Sequence, residues 1–122
     1  MADAALFVGW GAPVRGRESK GLEVFNEAIA FHSECQQAGR IESFEVVLLA
    51  PHGGDLDGFM LIRGSEDQME SLMRNEDFMR LNTRASMIVE RFGVTQAALG
   101  ESLGQQISIY QEAIAEIEHA HV

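Results

Sequence analysis

A single cysteine, Cys35, stands among 122 residues. The chain can close no internal disulfide, and a reducing cytoplasm is the expected setting. No apolar run is long enough to span a bilayer. Met1-Ala2-Asp3-Ala4 puts no basic region ahead of apolar residues, so no secretory signal is expected there. Cations are scarce: nine Lys and Arg stand against 19 Asp and Glu, a net charge of −10. They form no basic stripe, so neither nucleic acid nor an anionic membrane is an expected partner. The acidity reads simply as solubility. The glycines match neither a P-loop nor a dinucleotide fingerprint. There is no linker, repeat or low-complexity tract, and residues 1–122 read as one domain.

What is present is material for a packed core. The composition is 46% hydrophobic, and the length suits one domain with a real interior. The stretch 41–63 reads as a strand, a glycine-rich loop (Pro51-His52-Gly53-Gly54-Asp55) and a return strand. Side chains alternate along a strand. Ile41, Ser43, Glu45, Val47 and Leu49 therefore share one face, and Glu42, Phe44, Val46 and Leu48 the other. Residues 46–50 and the return strand, Phe59-Met60-Leu61-Ile62, are apolar on both faces. A sheet wet on one side should alternate polar and apolar. Both sides of this hairpin are thus expected to be covered, one by the chain's own helices and one by a second copy of the sheet.

Ala4–Trp10 is the first strand, with Leu6, Val8 and Trp10 on one face and Ala5, Phe7 and Gly9 on the other. After a loop carrying Arg15, Arg17 and Lys20, Ser19 is placed to cap a helix running to about residue 38. Its inward stripe is Leu22, Phe25, Ile29, His32 and Cys35 or Gln36, and Gly39 suits a left-handed stop. Ser65 with Gln68 has the form of a capping box. The short helix behind it turns Met69, Leu72 and Met73 inward. Asn75-Glu76-Asp77 suits a second N-cap, opening a stripe of Phe78, Leu81, Ala85, Ile88 and Val89. Residues 94–99 read as a fourth strand, 100–104 as a connector and 105–120 as a last helix. The order is βαββαβ plus a helix: an α+β, ferredoxin-like sandwich with a four-stranded antiparallel sheet, its core at about 4–99.

This element order resembles the dimeric α+β barrel superfamily. So do two local patterns, Gly39-Arg40-Ile41-Glu42-Ser43-Phe44-Glu45 and Asn75-Glu76-Asp77-Phe78-Met79-Arg80-Leu81. The resemblance implies a homodimer of face-to-face sheets, with a pocket between sheet and helices in each subunit. Members of that superfamily include cofactor-free monooxygenases, lactone isomerases, haem-dependent peroxidases and small proteins without assigned activity. No catalytic motif transfers residue by residue, nothing marks an axial histidine for haem, and the chain looks most like the uncharacterised members. The expectation is a small-molecule enzyme of the monooxygenase or isomerase type without a cofactor. The alternative is a non-catalytic dimer that binds a small ligand or another protein.

His32 lies on the stripe that should line the pocket and is the candidate general base or ligand-orienting group; a histidine satisfied within the core is the plainer reading. Glu45, if it points inward, is a candidate acid or base opposite His32. Arg15, Arg17 and Lys20 precede a helix N-terminus, where an anionic group is favoured, against the plainer reading of a surface loop paired with Glu18 and nearby acids. Trp10 and Phe7 lie on opposite faces of the first strand, and one of them, with Trp10 the candidate ligand-binding residue, is expected at the pocket or the dimer interface, against the plainer reading of core packing; the methionines are expected at the core or pocket wall. His52 with Asp55 and Asp57 matches no standard metal spacing, so a glycine turn is expected there and no metal. Cys35 reads as packing, and His119 and His121 as part of a terminal tail.

Overall fold

The computed structural model describes residues 3–119, so His121 lies outside the described residues. The elements are β1 (Ala4–Trp10), α1 (Glu18–Gln37), β2 (Ser43–Leu48), β3 (Gly58–Gly64), α2 (Glu66–Met73), α3 (Glu76–Ser86), β4 (Gly93–Ala98) and α4 (Gly100–His119). The four strands form one antiparallel sheet in the order β2-β3-β1-β4. This is the ferredoxin-like sandwich with an extra C-terminal helix. Among the described residues no helix is long and apolar enough to cross a membrane.

Register explains the two faces. Phe44 pairs with Ile62 and Val46 with Met60, while Leu6 pairs with Ile62 and Val8 with Met60. These side chains share one face. They pack with Cys35 of α1, Met69 and Leu72 of α2 and Phe78 of α3 into a single core. On the other face Val47 opposes Phe59, and Phe7 opposes Leu61. The rings of Phe7 and Phe59 stack there at 5.1 Å. Helices α1 to α3 serve only the first face, and this second apolar face is left half-buried. Helix α4 does not close over it, because every described residue from Leu103 onward is exposed.

Local chemistry sets most boundaries. Gly39 takes φ +75°, and the Arg40 N–H reaches back to the Cys35 carbonyl at 2.8 Å while Gly39 N–H reaches Gln36, a Schellman stop. Ser65 Oγ accepts from Gln68 N–H at 3.1 Å, and Gln68 Oε1 accepts from Ser65 N–H at 2.8 Å, the expected capping box. Gln68 Nε2 also donates to the Gly39 carbonyl, tying the start of α2 to the end of α1. Asn75 Oδ1 accepts from Phe78 N–H and caps α3. Ser65→Ala is expected to cost about 1 kcal/mol, read as a lower urea midpoint at unchanged slope.

Several expectations are corrected. Ser19 is not a cap: Gly16, at φ +89°, turns the chain earlier, and α1 starts at Glu18 with Arg17 as an N-cap that makes no side-chain bond. Leu22 and Met73 are exposed, and Val24 is buried in place of Leu22. Helix α3 ends at Ser86, so Ile88 and Val89 belong to the following turn. Residues 100–104 are not a connector. Gly100, at φ +55°, breaks from β4 directly into α4, which includes Gly104 in its second turn.

Candidate functional site

Between the helix-covered face of the sheet and helices α1 and α3 lies a cavity of about 330 Å³. Its floor is Val8, Trp10, Leu48 and Met60 of the sheet, and its walls include Gly21, Leu22, Phe25, Ala28 and His32 of α1 and Leu81, Asn82 and Ala85 of α3. Ile88, Val89 and Phe92 close the end. Small residues make the space: Gly21 and Ala28 stand two helical turns apart on α1, and Ala85 stands on the third helix. Gly58 seats the tryptophan. A Cβ there would lie 2.9 Å from Trp10 Cζ2, so any side chain would push the indole out of place. Phe25 meets the indole edge to face at 6.1 Å.

His32 is the most buried polar residue of the wall, at 2% exposure. Phe31, Phe44 and Phe78 surround its ring at centroid distances of 5.1, 5.8 and 5.8 Å. Among the described residues, its Nδ1 is a buried side-chain nitrogen with no hydrogen-bond partner. Burial alone lowers its pKa from 6.5 to about 4, because an imidazolium in this apolar cage loses its hydration and gains no counterion. The ring is therefore neutral near pH 7. The other polar groups on the wall are the Trp10 indole, Asn82 and Glu18, the last of these exposed.

The expected site residues thus divide. His32 and Trp10 share the cavity. Glu45 does not join them. It sits on the opposite face of the sheet, in register with Leu61, where Arg63 Nη1 donates to Oε1 at 3.3 Å, so it cannot act opposite His32. Arg15 and Arg17 also lie outside the lining. Arg15 is exposed, Arg17 Nη1 donates to the Met87 carbonyl at 2.6 Å, and Lys20 pairs with Glu23 rather than Glu18. Arg17 is thus a strap between two loops. Its neighbours reinforce it: Gly11 N–H donates to Glu90, Glu90 N–H to Ala12 and Val14 N–H to Ile88, at 2.7–2.8 Å. Gly11 has to be glycine, since a Cβ would meet the Asp55 and Glu90 carbonyls at 2.9 Å.

His52 belongs to its turn. Its Nε2 donates to the Leu56 carbonyl at 2.8 Å and its Nδ1 accepts from Gly54 N–H at 3.2 Å, which sets the tautomer. Gly53 takes φ +84°. Asp55 pairs with Arg91 at 3.6 Å. Cys35 is buried, and its thiol pKa is raised chiefly by that burial, which makes it inert packing. Asn82 was not singled out from sequence. Its one signal is its place three residues before Ala85 on the same helix, which puts both on one side.

No family model and no curated protein matches this chain. Solved structures do. A dimeric protein of unknown function and ferredoxin-like fold from Bacteroides fragilis superposes with a TM-score of 0.53 at 13% identity, covering 79% of this chain and 96% of its own. SnoaB, a cofactor-independent oxygenase from Streptomyces nogalater, gives 0.52 at 18% identity over 81% and 95%. A dimeric ferredoxin-like protein of unknown function from Thermobifida fusca gives 0.58 at 13% identity over 81% and 93%. At these identities the likeness is one of fold, and it bears out the ferredoxin-like sandwich read from the sequence.

Proposed function

We propose that the chain is a cytoplasmic homodimer joined through its open sheet face, and that each subunit binds a small, mostly apolar molecule in the cavity and acts on it as a cofactor-free oxygenase or an isomerase. The observation that carries this reading is the cavity itself, an apolar space of about 330 Å³ with a buried imidazole in its wall whose Nδ1 has no hydrogen-bond partner among the described residues. Such a space, with few polar groups, suits a flat, uncharged molecule held by van der Waals contact and oriented by Trp10 and Asn82.

His32 in the empty cavity is a weak base, since its depressed pKa measures the cost of an isolated cation. A substrate O–H or C–H that gives up its proton leaves an anion beside the new imidazolium. In a site of low dielectric their mutual attraction offsets much of the lost hydration. For oxygenation, the substrate anion passes one electron to dioxygen. The resulting radical and superoxide combine to a peroxide anion, which takes the proton back from the His32 imidazolium to give a hydroperoxide; this loses water to leave a carbonyl, so a phenol and dioxygen become a quinone and water. For isomerisation, the same proton returns at another carbon. SnoaB is a cofactor-independent oxygenase, and the shared fold supports that arm.

The test is a panel of phenols and naphthols incubated with the protein in air, followed by thermal shift and by product formation. Ala85→Phe, which fills the cavity, should abolish binding while the protein stays folded. His32→Gln should lower turnover by about 10²-fold or more with little change in affinity. Unchanged turnover in His32→Gln removes the base assignment. The low basicity of His32 favours one second reading, a non-catalytic carrier, which a tight ligand recovered chemically unchanged would support.

A further inference from the structure

The last helix carries a surface its own domain does not use. Leu103, Ile107, Tyr110, Ile114 and Ile117 of α4 are spaced four, three, four and three residues apart, the seam of a two-stranded coiled coil. All five are exposed, by 40–66%. The domain meets a different side of the helix. Ser102 and Gln106 look across a hollow of about 500 Å³ toward Ala5, Glu66, Met69, Glu70 and Gln96, about a quarter-turn from the seam at 100° per residue. That side begins with Ser102 and Gln106 and carries Ile109, itself exposed, farther on; the five-residue seam looks away from the domain.

Charge identifies the occupant. A chain of net charge −10 repels its own copies unless the meeting surface is kept free of acids. The positions flanking this seam are Gly104, Gln106, Gln111, Ala113 and Glu118, while Glu101, Glu112 and Glu116 lie farther round the helix. An acid-bordered seam would select a basic partner; a nearly neutral one admits a second copy. We infer that α4 pairs seam to seam with α4 of another copy of this chain. This holds whether or not the sheet faces also pair. Tyr110 is the middle member of the seam, so it faces its own counterpart in a parallel or an antiparallel pair.

The experiment uses the full chain with Cys35 left in its buried position. Tyr110→Cys under mild oxidation should form a disulfide-linked dimer roughly tenfold faster than Glu112→Cys, whose side chain points away from the seam, because pairing raises the local thiol concentration. Adding Ile107→Glu and Ile114→Glu to Tyr110→Cys should erase that advantage. Equal rates for the two cysteine variants, or an advantage that survives the added glutamates, would overturn the pairing. The sheet-face dimer is tested separately, by mass, with Leu61→Asp added to the Ile107→Glu and Ile114→Glu chain, in which the seam is already open.

Discussion

Lowering the pH from about 7.5 to about 4.5 is expected to cost this protein about 2 to 3 kcal/mol of folding stability through His32 alone. The buried ring accepts a proton only near pH 4, whereas in the unfolded chain it does so near 6.5. Between those values the unfolded state holds more protons, so stability falls as pH falls. Above about 6.5 the ring is neutral in both states, and below about 4 it is charged in both, so the slope vanishes at each end. His32→Leu keeps an apolar side chain among Phe31, Phe44 and Phe78 and removes the titration. Urea midpoints of both proteins at the two pH values give the test as a difference of differences, which cancels the response of the acidic surface. Parallel curves for the two proteins would show that the ring is not held as described.

The second large effect concerns the uncovered face of the sheet. Leu61→Asp places a carboxylate between its cross-strand partners Phe7 and Glu45 and beside Phe59, on the face that would meet a second sheet in the proposed dimer. Burying an unpaired charge there costs several kcal/mol, which corresponds to a dissociation constant raised by about 10²-fold or more. With the α4 seam opened by Ile107→Glu and Ile114→Glu, sedimentation at micromolar concentration should still show a dimer, and adding Leu61→Asp should turn it into a monomer. A native chain that is itself monomeric, with this face open to water, would end the sheet-pairing account. The Glu45–Arg63 pair on the same face is exposed and contributes little by itself.

Much of the fold was legible because it rests on short-range chemistry. β1 falls on Ala4–Trp10 as its alternation required, and the Ser65–Gln68 box and the Asn75 cap need only three residues each. Glu45 failed for a different reason. With the hairpin apolar on both sides, alternation alone could not say which face takes the helices, and that choice puts Glu45 on the far side from His32. Arg17 meets a carbonyl 70 positions away, and no local pattern announces such a contact. The cavity was foreseen only as a consequence of the resemblance. Its direct trace in the sequence is a deficit, the smallness of Gly21, Ala28 and Ala85, which a search for functional side chains passes over.

The strap made by Arg17 and the main-chain bonds between residues 11–14 and 88–90 has a consequence for traffic. These two loops border the cavity and form in effect a miniature ribbon, so they cannot part without several hydrogen bonds breaking together. Leu22 and Leu48, which line the cavity and are largely exposed, are under no such restraint. A guest of the kind proposed would pass these two leucine side chains, of a class that swings in picoseconds to nanoseconds when exposed, rather than the tied loops.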